Sequence, residues 1–197
     1  MPLTFHHHIG TAVETEAELD AVMNATGEAV GLLLDTGHLV FAGGDNAAVI
    51  ARHGSRINHF HTKDIRADVL AGIDRDAESF LDCVLKGVFT VPGDGMIDYD
   101  DIMKRLFDTG YEGWVIIEAE QDPALANPLE YAKMGYDKLH QALHDAGYSL
   151  ALCQTTLPCL IIFQAAWQAA PCWLSDGRVW ICTQFQMAPA SRMPRNW

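Results

Sequence analysis

Four short segments of this chain place imidazoles or carboxylates where an apolar run ends: His6, His7 and His8; Asp35 and His38; His59, His61 and Lys63; Glu118 and Glu120. Imidazole and carboxylate together suit manganese, cobalt, iron or zinc, and the lack of Cys among them argues against a purely structural zinc site. Asp35 closes the run Val30-Gly31-Leu32-Leu33-Leu34 and precedes Thr36-Gly37-His38, which reads as a turn. Glu118 ends an equally apolar run, and a carboxylate buried there alone would be costly, so it needs a positive partner. Alternation along a strand puts His59, His61 and Lys63 on one face, and Glu118 with Glu120 on one face.

The elements that must position these residues follow from spacing. Residues 2–10 read as a strand ending in polar residues. Thr15 with Glu18 forms a capping box, and Leu19, Val22, Met23 and Thr26 recur at helical spacing before Gly27. Asp45 caps a short helix carrying Ala47, Ile50 and Ala51 that ends at Gly54, and residues 57–64 read as the next strand. Residues 65–90 form a long connection with a helix near 79–86, the kind of excursion that walls or covers a site. Val91-Pro92-Gly93-Asp94-Gly95 is a turn whose glycines need no chemistry. Asp98 caps a helix that turns Ile102, Met103, Leu106 and Phe107 inward, residues 113–120 are a buried strand, and Asn127-Pro128-Leu129-Glu130 opens a helix with Ala132, Tyr136, Leu139 and Leu143 on one face, running to about Gly147. Strict alternation of four strand-helix units implies parallel strands with helices packed outside, about half of a barrel that takes roughly 250 residues. The chain opens directly on a strand, so the first half of the barrel is expected to precede Met1.

Composition bounds the partners. The 197 residues are 49% hydrophobic and 20% charged, which is globular, and the net charge of −13 disfavours nucleic acid and anionic membrane. A small uncharged or cation-bridged substrate fits better. The opening residues lack the pattern of a secretory signal, so the cytoplasm is the expected location.

Five segments, Phe5-His6-His7-His8-Ile9-Gly10, Leu34-Asp35-Thr36-Gly37-His38, His59-Phe60-His61-Thr62-Lys63-Asp64, Val91-Pro92-Gly93-Asp94-Gly95 and Glu118-Ala119-Glu120-Gln121-Asp122-Pro123, resemble in order and spacing the C-terminal half of the myo-inosose-2 dehydratases. These are xylose isomerase-like (β/α)8 TIM barrels, and the resemblance covers residues 3–143. It implies about four C-terminal β/α units and a divalent metal, manganese or cobalt, with glutathione as an associated thiol. The superfamily holds its metal with a Glu, an Asp, a His and a Glu. Asp35, His61 and Glu118 match the last three. No acid matches the first, so His6, with His8 as its rival, would have to substitute.

The resemblance also implies loss of water from 2-keto-myo-inositol to give a trihydroxycyclohexane-dione, with an isomerase or epimerase of the same superfamily as the alternative. His38, His59, Lys63 and Glu120 are the candidates for proton transfer. Each has a plainer reading: His59 as a hydrogen-bonded core residue, His38 as a support behind the ligands, Lys63 as a partner of Asp64, and Asp35 itself as a turn-former. An open half-barrel has two unpaired sheet edges, so association, including a homo-oligomer through those edges, is the expectation of a different class, in which the fragment is inactive alone.

Residues 148–197 depart from all this. They contain no Lys and no Glu but four of the five Cys and four of the five Trp, and a formal charge of +2 over 151–197 leaves −15 on the first 150 residues. Cys153, Cys159, Cys172 and Cys182 lack the paired short spacings of a zinc site, and the uncharged stretch 146–175 is too interrupted for a good membrane span. The hypothesis is a half-barrel over 1–147 followed by a poorly ordered tail, frameshifted or fused at that seam. Genomic sequencing is expected to show an in-frame first barrel half upstream of Met1 and a break of frame near codon 147; a frame that runs intact through the seam in close relatives would refute the second expectation.

Overall fold

The computed structural model describes residues 3–150 and 178–187, with Leu150 and 178–187 described by backbone alone. The first strand, β1 (Leu3–His6), is followed by α1 (Glu16–Ala25), β2 (Val30–Asp35), α2 (Thr36–Phe41), α3 (Asn46–His53) and β3 (Ile57–Thr62). An excursion holds β4 (Asp64–Ile65), α4 (Ala67–Leu70), α5 (Phe80–Leu85) and β5 (Phe89–Thr90), and then come α6 (Tyr99–Asp108), β6 (Trp114–Gln121) and α7 (Pro128–Ala146). Strands β1, β2, β3 and β6 lie side by side and parallel. The four expected units are all present, and they form a partial barrel wall.

The capping residues behave as their chemistry requires. Thr15 and Glu18 close a reciprocal box at α1, Asp45 and Asp98 accept N–H groups at the starts of α3 and α6, and Asn127 with Pro128 starts α7, which ends on Gly147 in the left-handed conformation. Leu32, Leu34, Phe60, Val115 and Ile117 point outward from the strands and pack with Leu19, Met23, Met103, Leu106, Leu139 and Leu143 of the helices. Two inward faces differ from expectation. In α3 the buried residues are Asn46, Val49, Ile50 and His53 rather than Ala47 and Ala51, and Phe107 is 39% exposed, its ring set edge-on to Tyr148.

Strict alternation misses one further detail. Between Leu32↔Ile57 and Leu33↔His59 the register slips by one residue, a bulge at Asn58. Ile57 therefore joins the outer core, whereas His59 and His61 come into line with Leu33 and Asp35 on the inner face. Gly31 accommodates the slip: a Cβ there would lie 2.0–2.7 Å from the Asn58 amide.

The excursion of residues 64–90 is anchored to the wall. Asp64 and Ile65 pair antiparallel with Thr90 and Phe89, over a satellite core of Ile9, Phe41, Ile65, Cys83, Val84, Val88 and Phe89. Asp64 does not pair with Lys63. Its buried carboxylate accepts backbone N–H groups from Ile65, Gly93 and Ile97 at 2.8, 3.3 and 2.9 Å, which fastens the 91–97 turn to the site end of the sheet. Gly95 is required there by close approach, since a Cβ would meet Asp64 Oδ1 at 2.3 Å.

Beyond Gly147, where the sequence showed no regular element, the backbone forms β7 (Ser149–Leu150) and β8 (Arg178–Met187). β8 runs parallel to β6 from Trp114↔Trp180 to Gln121↔Met187, with β7 on its far side. The expectation of two unpaired edges is corrected at β6, which carries β8; β1 has only β2 beside it among the described strands. The readings of residues 151–177 and 188–197, and of the tail cysteine side chains, lie outside the described residues. None of the described helices is long and apolar enough to cross a membrane.

Asp64→Ala is expected to lower unfolding free energy by about 1–3 kcal/mol, because it strands buried N–H groups. Urea unfolding of the variant beside the parent chain measures this, and equal midpoints would show that the turn is held by other contacts.

Candidate metal centre

Parity and register bring the sequence-selected residues together. Asp35 sits opposite His61 in the β2–β3 pair, and His61 opposite Ile116 in the β3–β6 pair, so Glu118 lies two residues further along the same inner face. β1 places His6 level with Leu33. Asp35, His61 and Glu118 form a group whose ligand atoms lie within 4.8 Å of one another, and His6, Asp35 and His38 form a second such group. His61 Nδ1 is 2.8 Å from Glu118 Oε2 and 3.6 Å from Asp35 Oδ2, and His6 Nε2 is 3.9 Å from Asp35 Oδ2.

The two carboxylate oxygens of Asp35 are used differently, so capping by one leaves the other available to a cation. Its Oδ1 accepts the N–H of His38 at 2.9 Å and caps α2, so the Thr36-Gly37-His38 segment is a helix start rather than a turn. Its Oδ2 is buried and has no hydrogen-bond partner. His6 Nε2, His61 Nδ1 and Glu118 Oε2 are likewise buried and meet one another and Asp35 through charge-charge contacts of 2.8–3.9 Å. Buried polar atoms are nearly always hydrogen-bonded; these four instead have ion pairs with one another and with Lys63, and as converging nitrogen and carboxylate atoms they suit the lining of a cation site. The residues fit a divalent metal.

Lys63 crosses the same space. It is wholly buried, its Nζ 2.7 Å from Glu120 Oε2, 2.8 Å from His38 Nε2, 3.5 Å from Glu118 Oε2 and 3.6 Å from Asp35 Oδ2. An ammonium only donates, so His38 Nε2 accepts and the imidazole proton lies on Nδ1. Gly37 permits the crossing, because a Cβ there would meet Lys63 Cβ at 2.7 Å and its carbonyl oxygen at 2.9 Å.

Burial alone would raise the carboxyl of Asp35, but Lys63, His38 and His61 outweigh it and hold the group well below the usual carboxylate range. Glu118 is lowered in the same way by Lys63 and His61. Glu120 is raised, because burial and the neighbouring carboxylates exceed the help from Lys63. Burial lowers His6 to about 4 and His38 to about 2, which leaves both as neutral donors of a lone pair. His61 goes the other way, to about 9: burial opposes its charge but Asp35 and Glu118 more than compensate. An imidazolium there does the neutralising that a metal ion would do.

Supporting residues were less visible in the sequence. His7 faces the opposite side of β1 from His6, and its Nε2 accepts the Asp35 N–H at 3.3 Å. Thr36 Oγ1, Tyr99 and Asn46 form a buried polar set, in which Thr36 bonds the Lys63 carbonyl at 2.8 Å and Tyr99 bonds it at 3.0 Å. Phe80 and Phe89 from the excursion pack against His38 at ring distances of 5.7 and 5.6 Å, which makes that connection a wall of the site. Their only sequence signal was their place in a long insertion. His8 stacks on His38 at 3.7 Å, whereas His59 packs behind His61 at 5.4 Å and belongs to none of the ligand groups found among the described residues.

The model of the xylose isomerase-like TIM barrel family matches residues 2–141. The chain belongs to that family. It is 53% identical over 149 residues to the rhizopine catabolism protein MocC of Rhizobium meliloti, across 76% of this chain and 46% of that protein. It is 53% identical over 133 residues to the inosose dehydratase of Clostridium beijerinckii and 52% over 135 residues to that of Klebsiella pneumoniae, in both cases across 67% of this chain and 45% of the relative. The chain thus spans about half the length of the curated relatives it matches. Among solved structures, a probable 3-DHS dehydratase of Bacillus anthracis, AsbF, involved in petrobactin synthesis, shares the fold at a TM-score of 0.52 and 20% identity, covering 71% of this chain and 49% of its own.

Titration of the metal-free protein with cobalt, followed by the visible absorption of the bound ion, is expected to show a site that Asp35→Asn or Glu118→Gln weakens by more than about 100-fold, beyond the range typical of supporting partners. Unchanged affinity in both variants would place the ion elsewhere.

Proposed function

We propose that this barrel half carries the metal and proton-transfer residues of an inosose dehydratase, which removes water from 2-keto-myo-inositol to give a trihydroxycyclohexane-dione. The observation that carries the reading is the convergence of four buried potential ligand atoms, on His6, Asp35, His61 and Glu118, in a chain about half identical to enzymes of that name. The barrel unit of 1–147 and a tail of separate origin are part of the same reading, and the end of the family match at residue 141 supports them.

His6, Asp35, His61 and Glu118 would hold manganese or cobalt, which when bound supplies the positive charge that an enolate of the ketone requires. Glu120 is the proton carrier. Its carboxyl is raised above the ordinary range, so its carboxylate is a stronger base than an exposed one, and Lys63 holds it in place at 2.7 Å. It takes the proton beside the carbonyl, the electron pair returns to expel the hydroxyl on the next carbon, and the same carboxyl hands over its proton so that water departs. Lys63 offsets the negative charge while it develops, and His38, whose Nε2 accepts from the Lys63 ammonium at 2.8 Å, takes part in proton transfer through that contact. His59 orients His61 through ring packing. Phe80 and Phe89 keep water from the enolate side.

The assay is the ultraviolet absorbance of the dione, with the chain alone and with the complementary barrel half added. Activity is expected to vanish with chelator, return with manganese or cobalt, and fall by about 10²–10⁴-fold in Glu120→Gln. Consumption of the ketone with all hydroxyls retained would instead identify an isomerase or epimerase, and full activity after Glu120→Gln would remove that residue from the chemistry.

A further inference from the structure

Besides the groups already described, the open end of the sheet brings together a third set able to hold an ion: His8 from the loop after β1, His38 of α2 and Glu120 of β6, again with ligand atoms within 4.8 Å of one another. His8 is prepared for such a role. Its Nδ1 is 2.6 Å from the Ile9 carbonyl oxygen, which can only accept, so Nδ1 carries the proton and Nε2 keeps its lone pair. His38 likewise offers Nε2. Yet the space these atoms bound is filled by a side chain, because Lys63 Nζ lies 2.8 Å from His38 Nε2 and 2.7 Å from Glu120 Oε2.

We propose that the Lys63 ammonium permanently occupies a second cation position, bounded by His8, His38 and Glu120, so that the centre accepts a single divalent ion and becomes dinuclear when the ammonium is removed. Charge gives the reason. Three buried carboxylates, Asp35, Glu118 and Glu120, are balanced by one divalent ion together with one ammonium. A second divalent ion beside Lys63 would leave excess positive charge in a space closed by Phe89, whose ring the ammonium faces at 5.4 Å. Removing the ammonium leaves one carboxylate uncompensated next to two imidazole lone pairs, a donor set that suits manganese, cobalt or zinc. The lysine thereby does structurally what a second metal does in a dinuclear centre, with no exchange with solvent.

The inference rests on the metal reading above, and one measurement separates their failures. The full chain, stripped with chelator, is loaded with manganese and desalted; bound metal is counted by mass spectrometry and examined by electron paramagnetic resonance. The expected result is one ion per wild-type chain with an uncoupled spectrum, and two ions with an exchange-coupled spectrum in Lys63→Ala, of which Lys63→Ala/His8→Ala loses one. No metal in the wild type would overturn the metal reading and this inference with it. Two ions in the wild type, or one in a Lys63→Ala chain with a native circular dichroism spectrum, would overturn this inference alone. Should Lys63→Ala not fold, Lys63→Ser replaces it, and a folded Lys63→Ser chain limited to one ion has the same force.

Discussion

Three carboxylates buried on one face of a sheet repel one another and resist leaving water, and everything at the open end of this half-barrel answers that problem. Lys63 supplies a fixed positive charge within 3.6 Å of all three. His61 supplies a second, protonated because Asp35 and Glu118 overcome its burial. The first is covalently part of the wall and the second is exchangeable, since a metal ion displaces a proton from imidazole. The carboxylates are therefore balanced by charges of the chain itself, in a cluster whose imidazole and carboxylate atoms could also hold a cation.

Holding such a centre requires backbone accuracy, and the polar support lies on the far side of the strands. His7 takes the Asp35 N–H, and Thr36, Tyr99 and Asn46 tie the end of β2 to the Lys63 carbonyl. These contacts are buried in the layer between sheet and helices, where an unmade hydrogen bond is costly. The excursion between β3 and α6 completes the arrangement: Asp64 fastens the following turn, and Phe80 and Phe89 close over His38. Gly31, Gly37 and Gly95 mark the places where backbones or side chains come too near for a Cβ.

The relation to the inosose dehydratases follows the same lines. Identity near one half extends over 133–135 residues, the family match over residues 2–141 includes His6, Asp35, His61 and Glu118, and the chain spans under half the length of those proteins. The strands that bear these four residues thus lie within the matched region. β8, parallel to β6, lies where a closed barrel would set its next strand, so the tail backbone covers the edge at which closure begins.

The sequence by itself determined the four units, their parallel order and the strand-end set of imidazoles and carboxylates, because alternation, caps and strand-end acids are local signals; that Asp35, His61 and Glu118 are the candidate ligands within that set came from the resemblance to the inosose dehydratases. It also named His6, Lys63 and Glu120 without fixing their partners. Tertiary structure decided what depends on distance: that Lys63 turns to Glu120 rather than Asp64, that Asp35 caps α2 with one oxygen while the other turns toward His61, and that His59 packs against His61. It decided the Asn58 bulge, which one strand cannot show since a register slip exists only between two. It also assigned Phe80, Phe89, Tyr99 and His7 to the site. Their roles arise from packing between segments far apart in the chain, and no local periodicity encodes a contact of that kind.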